Sequence, residues 1–111
     1  MLKLVISTAI ILLGVTGAGY AQQFHASDSW EKVRVGGKIC FAEHEHYGES
    51  PLWVSKRGAK AAAIRAWEAS TKGEYGKRWG SYRLATGKRM ICLKKGAKSL
   101  CEAHARPCKR R

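Results

Sequence analysis

Four cysteines, Cys40, Cys92, Cys101 and Cys108, in a chain of 111 residues constrain this sequence more than any other feature. All four follow an apolar N-terminal segment. An even count in a short exported chain reads as a framework of two disulfides, with three possible connectivities. Metal ligation is the other use of such a set, but the chain has no Cys-x-x-Cys pair to grip a tetrahedral ion. Bridges matter at this size, because a small domain buries a modest part of its surface and each bridge adds roughly 2–4 kcal/mol.

Export is read from residues 1–21. Lys3 gives a positive start, residues 4–13 are apolar apart from Ser7 and Thr8, and Gly19-Tyr20-Ala21 sets small side chains where a signal peptidase reads. Cleavage is therefore expected before Gln22. An apolar run of about ten residues falls well short of the roughly 20 that a spanning helix needs. No cysteine lies beside the cleavage point for lipid attachment, and no later run is long and apolar enough to span. The expected organisation is a signal peptide over 1–21, a flexible lead-in over 22–30 and one small disulfide-stabilised domain over 31–111. Its expected location is the periplasm or the extracellular space.

The charge is uneven. The whole chain carries +13. Residues 22–55 hold three basic and five acidic side chains, whereas residues 56–111 hold seventeen basic and three acidic. Like charges packed at that density repel one another, and an anionic partner relieves the repulsion.

Apolar periodicity supplies the elements. Val33, Val35, Ile39 and Phe41 recur two apart around Gly36-Gly37, which predicts a bulged strand or a tight hairpin. Residues 43–51 read as a loop. Ser55 is a helix N-cap, and a helix over 57–72 gathers Ala59, Ala62, Ala63, Ala66 and Ser70 on one face with Trp67 at its border, ended by Gly73 and Gly76. Ile64 falls off that stripe without an explanation from the helix alone. Trp79 and Tyr82 sit on a short helical turn. Residues 89–94 and 99–105 then form two strands around a four-residue loop, which sets Leu93 opposite Leu100 and Cys92 opposite Cys101. A Cys92–Cys101 bridge leaves Cys40–Cys108; the alternative is Cys92–Cys108 with Cys40–Cys101. The expected fold is α+β, one helix packed on a small antiparallel sheet with a C-terminal β-hairpin, stapled by disulfides.

The order Ala59, Ala63, Ala66-Trp67, Tyr75-Gly76, Trp79, Tyr82, Ala85, Cys92, Cys101, Ala105-Arg106-Pro107-Cys108 resembles a group of short exported bacterial proteins of unknown function. The resemblance covers residues 56–108. It implies a shared fold and export, and it carries over no catalytic residue.

Three chemistries are open to these residues. Lys77, Arg78, Lys88, Arg89, Lys94, Lys95 and Lys98 recur through the turns and strand ends of the hairpin half as candidate contacts for phosphate, sulfate or carboxylate groups. The partner expected for an exported chain is an envelope lipid headgroup, an acidic polysaccharide or an acidic protein. Nucleic acid ranks behind these, because no nucleic-acid motif accompanies the charge. Tyr75, Trp79 and Tyr82 lie among the cations and serve either as core or as stacking surfaces. Secondly, His44 and His46, two apart in Phe41-Ala42-Glu43-His44-Glu45-His46-Tyr47, share a face if the segment is extended, with Glu43 and Glu45 on the other. With Glu49 they form a candidate site for Zn²⁺ or Cu²⁺. Thirdly, His44, His46 and His104 with Lys38 or Lys88 invite comparison with a ribonuclease. Nothing fixes a nucleophile, a base and an orienting partner, and the expectation is a chain that is not an enzyme. His104 alternates with Leu100, Glu102 and Arg106 on one strand face.

Overall fold

The computed structural model describes residues 30–111; the signal segment and all of the lead-in except Trp30 lie outside the described residues. The first hairpin pairs β1, Lys32–Val35, with β2, Lys38–Phe41. Gly36, at φ 60°, takes the left-handed position of the two-residue turn, which a side chain would strain. Within the segment expected to be a loop lies a further strand, β3, His46–Glu49. The helix α1, Lys56–Tyr75, follows, then a 3₁₀ turn, Lys77–Trp79, and the strands β4, Thr86–Lys95, β5, Lys98–Arg106, and β6, Cys108–Arg110.

The fold is α+β, with two three-stranded antiparallel sheets. Their orders are β1-β2-β6 and β3-β5-β4. The C-terminal hairpin has the expected register, Leu93 opposite Leu100 and Cys92 opposite Cys101, and Gly96 at φ 64° makes its turn. The bridges are Cys40–Cys108 and Cys92–Cys101. Pro107 is buried between β5 and β6 and marks where the chain passes from one sheet to the other. It has no N–H to give to a ladder; its carbonyl accepts from Phe41 N at 3.0 Å. Arg106 reinforces this corner by donating to the carbonyls of Phe41 and Ala42.

The helix lies on the β3-β5-β4 sheet through small side chains. Ala59 and Ala63 of α1 meet Ala103 and Ala105 of β5 in a core completed by Trp67, Ala85 and Cys101. At β3 there is no room for a side chain at all: a Cβ on Gly48 would stand 2.2 Å from the backbone nitrogen of Trp67 and 2.8 Å from the carbonyl of Ala63. Trp67 is the centre of this interface rather than its border; it is fully buried, and its indole N–H donates to the carbonyl of His46 at 2.9 Å. Ser70 is exposed instead of facing the sheet. Ile64 packs against the flank of the same core, beside its partly buried neighbours Tyr82 and Met90. The helix continues through Gly73, exposed at its surface, and ends at Gly76, whose φ of 105° breaks the ladder. A second core joins Phe41, Tyr75 and Trp79 under the other sheet.

Gly48→Ala is expected to lower the unfolding free energy by about 3 kcal/mol or more, since the methyl meets backbone rather than a movable side chain; urea unfolding reads it directly. The two bridges close loops of very different length, 68 and 9 residues apart in sequence. Replacing Cys40 and Cys108 by Ala is expected to cost about 4 kcal/mol, against about 2.5 for Cys92 and Cys101, and equal losses in the same titration would contradict that order.

Candidate functional site

Because the helix begins beside the β4–β5 turn and ends beside the first hairpin, the molecule has two chemically different ends. At one end the chain enters α1. Trp53 is bridged to Ser99 by two backbone hydrogen bonds of 2.8 Å, and Ser99 is opposite Lys94 on its other side. With strands about 4.8 Å apart, Trp53 and Lys94 are roughly 10 Å from one another. Lys95 and Lys98 face each other across the turn. Ser55 caps the helix by accepting from Gly58 N at 3.0 Å, but the first turn that follows carries no acid. It carries Lys56 and Arg57, with Lys60 just beyond, the sign that the helix dipole disfavours. Six cations thus converge, all exposed, and residues 50–60 and 90–99 contain no Asp or Glu. None of the six is in an ion pair among the described residues.

The seven cations singled out in the sequence are not one cluster. Lys94, Lys95 and Lys98 belong to this pole. Lys77 and Arg78 lie on the 3₁₀ turn past the far end of α1. Lys88 donates to the carbonyl of Arg83 at 3.1 Å. Arg89 is held by Glu45 at 2.6 Å, so the acidic segment docks onto the basic half at that point. Tyr75 and Trp79 are buried and Tyr82 packs edge-on against Trp67, which makes these aromatics core rather than stacking surfaces.

The other end holds the histidines, in a cleft of about 590 Å³ lined by residues of 44–47 and 70–75. His44 is stacked on Trp30, ring centres 3.9 Å apart, and its Nε2 lies 2.6 Å from the Tyr75 hydroxyl. His46 Nε2 lies 2.8 Å from Ser70 Oγ, and its Nδ1 is 3.5 Å from a carboxylate oxygen of Glu74. Burial holds the His46 imidazole below its ordinary pKa, aided by His44 and opposed by the charge of Glu74. Burial, with the charge and hydrogen bond of Glu74, pushes the Tyr75 phenol up to about 12. Tyr75 therefore stays protonated, with its hydroxyl shared between His44 and the charge of Glu74.

His44 and His46 share this cleft as expected, but Glu49 does not join them. It is opposite Glu102 on β5, on the face of β3 away from His46. Glu74 is the carboxylate beside His46. Among the described residues no group of three or more His, Cys, Asp or Glu is arranged to hold a metal ion, and Zn²⁺ or Cu²⁺ at the Nε2 atoms would have to displace Tyr75 and Ser70. Ser70, His46 and Glu74 stand in the order of a serine–histidine–acid relay. The amides around Ser70 are engaged in the helix ladder, so no pair of them faces the hydroxyl as an oxyanion hole. His104 is on the outer face of the sheet, not in the cleft. Its ring nitrogens lie against Glu45 at 3.1 Å and Glu102 at 2.5 Å, and its ring is stacked on Tyr47. The Arg89 hydrogen bond lowers the pKa of Glu45 despite opposing desolvation.

Sequence reasoning missed Ser70, Glu74 and Tyr75 as partners of the histidines. The available signal was the i, i+4 spacing of Ser70 and Glu74, which sets both on one exposed helix edge. It also missed Lys56, Arg57 and Lys60, whose signal was a run of cations directly after an N-cap.

No family model matches the chain, and none of the curated proteins or solved structures compared with it is similar.

A lowered pKa means that the unfolded chain binds a proton at His46 more readily than the folded one. The stability that this group contributes is present above its unfolded pKa, near 6.5, and is lost as pH falls from there through the folded value. His46 is expected to titrate below 6.5 by NMR, and His46→Gln to flatten the fall in stability between pH 7 and pH 5. A His46 resonance titrating at or above 6.5 contradicts the assignment.

Proposed function

We propose that this chain is an exported, non-enzymatic module that binds an anionic partner through the pole formed by the β4–β5 turn and the first turn of α1. The observation that carries the reading is the convergence of Lys56, Arg57, Lys60, Lys94, Lys95 and Lys98 from two distant segments on one end, with no acid between them. Arg89, by contrast, is balanced by Glu45. Here the field is uncompensated, and each cation at the helix N-terminus adds an unfavourable dipole interaction of about 0.3–1 kcal/mol. Phosphate, sulfate or carboxylate groups relieve both costs.

Export supports the choice of partner. Two disulfides and no free cysteine among the described residues fit an oxidising compartment, and the N-terminal signal pattern directs the chain to the periplasm or beyond. Anionic lipid headgroups and acidic glycans are the polyanions met there first.

Retention on immobilised heparin is expected to fall steeply between low and moderate salt. The triple variant K94E/K95E/K98E is expected to lose retention, while K77E/R78E/K88E, with the same change of charge, keeps most of it. Equal losses from both triples overturn the assignment to this pole, and salt-independent retention of the parent overturns anion binding altogether.

A further inference from the structure

The cationic pole is also an apolar one. Leu52, Trp53 and Val54 are consecutive, and their exposures are 47%, 37% and 77%. Three large apolar side chains in one exposed loop are unlike the single apolar residues scattered over ordinary protein surfaces. The loop cannot fold them inward. Ser50 N donates to the carbonyl of Cys101 and Trp53 is bonded twice to Ser99, so both ends of the loop are fixed along β5. Beneath it the Trp53 ring already rests against Gly58 of the first helical turn, and the core behind is closed by Ala59 and Ala63. Around this loop stand Lys56, Arg57 and Lys60 on one side and Lys94, Lys95 and Lys98 on the other.

We propose, resting on the anion-binding reading above, that the partner is an anionic bilayer surface, on which the molecule docks end-on. Leu52, Trp53 and Val54 enter the boundary between headgroups and acyl chains, and the five lysines and one arginine ring them at the depth of the phosphates. A soluble polyanion uses the cations and leaves the apolar loop in water. A membrane surface uses both. An indole suits that boundary, with an apolar body and a polar N–H, and lysine stems lie along apolar surface while their ammonium groups stay at the phosphates. Each Lys or Arg close to an anionic leaflet strengthens attachment by about fivefold, and peripheral attachment generally takes such a basic patch together with an apolar anchor.

The test uses the oxidised protein purified from the compartment to which it is exported, with phosphatidylcholine vesicles with and without phosphatidylglycerol. The parent is expected to sediment with the anionic vesicles only. Lipids brominated in the upper acyl chain are expected to quench its tryptophan fluorescence. Trp53→Phe removes most of that quenching, because Trp67 and Trp79 are buried and Trp30 is stacked on His44 at the opposite end of the molecule. The double variant L52S/V54S, which alters only exposed side chains, is expected to bind anionic vesicles roughly tenfold more weakly and to elute from heparin with the parent. If the parent is retained on heparin but ignores anionic vesicles, the partner is a soluble polyanion; the membrane proposal falls and anion binding stands. If it binds the vesicles without quenching at Trp53 and L52S/V54S binds equally well, charge alone holds it and the insertion proposal falls. Failure to bind either probe removes both readings.

Discussion

The close approach of one helix to one strand governs the rest of this structure. Gly48 places backbone against the backbone of α1 at Ala63 and Trp67, and alanines on α1 and β5 keep the same short separation along the interface. Small side chains bury little area each, so the interface needs one large residue, which is Trp67. Its indole fills the space and its N–H satisfies the carbonyl of His46. The same contact fixes the two ends of the molecule. It determines how far the helix N-terminus advances toward the β4–β5 turn, and it carries Ser70, Glu74 and Tyr75 to the histidines at the other end.

That interface serves only one of the two sheets. The other is joined to it by chain continuity at Pro107, by Arg106 at that corner and by Tyr75 of α1 packed on Phe41, and is itself closed covalently. Cys40 and Cys108 are directly opposed between β2 and β6, so their bridge ties the first hairpin to the last strand across 68 residues. Loop-closure entropy is largest for such a bridge. Phe41, Tyr75 and Trp79 supply a compact aromatic core beneath it. The arrangement explains how a chain with a formal charge of +13 keeps a fixed shape on a small core: covalent bonds restrain the denatured state while the surface is left to its charge.

The parts of this fold legible in the sequence were those set by local geometry. The loop around Gly96 sets a hairpin register that puts Cys92 opposite Cys101, and of the two pairings left open by the sequence the structure has Cys92–Cys101 with Cys40–Cys108. Export, by contrast, is an expectation from residues outside the described region. The strand β3 was not legible because its sequence, His46-Tyr47-Gly48-Glu49, has a glycine where a strand usually packs a side chain; the reason for that glycine is a helix that lies in a later part of the chain. Likewise Ser70 was assigned to the buried stripe because periodicity counts angle alone. Thr71 and Tyr75 take the buried positions instead, and Ser70 is left at the exposed edge against His46. Of the candidate metal set, the two histidines were correctly grouped because extended backbone puts alternate residues on one side, whereas Glu49 lies at odd spacing from His46 and so takes the opposite face.

The division of charge in the sequence is not the division in space. By sequence, the acids precede residue 56 and the cations follow it. Folding lays the two parts side by side, so that Glu45 reaches Arg89 and His104 and Glu74 joins the histidines. At the opposite end no acid is drawn in, and the apolar residues 52–54, from the mildly acidic part, are delivered into the middle of six cations from the basic part. A functional reading based on total charge predicts attraction to any polyanion. Placement sharpens it, because an apolar loop pinned open among cations gains from a partner with both a charged surface and an apolar interior, and among polyanions that combination belongs to a bilayer.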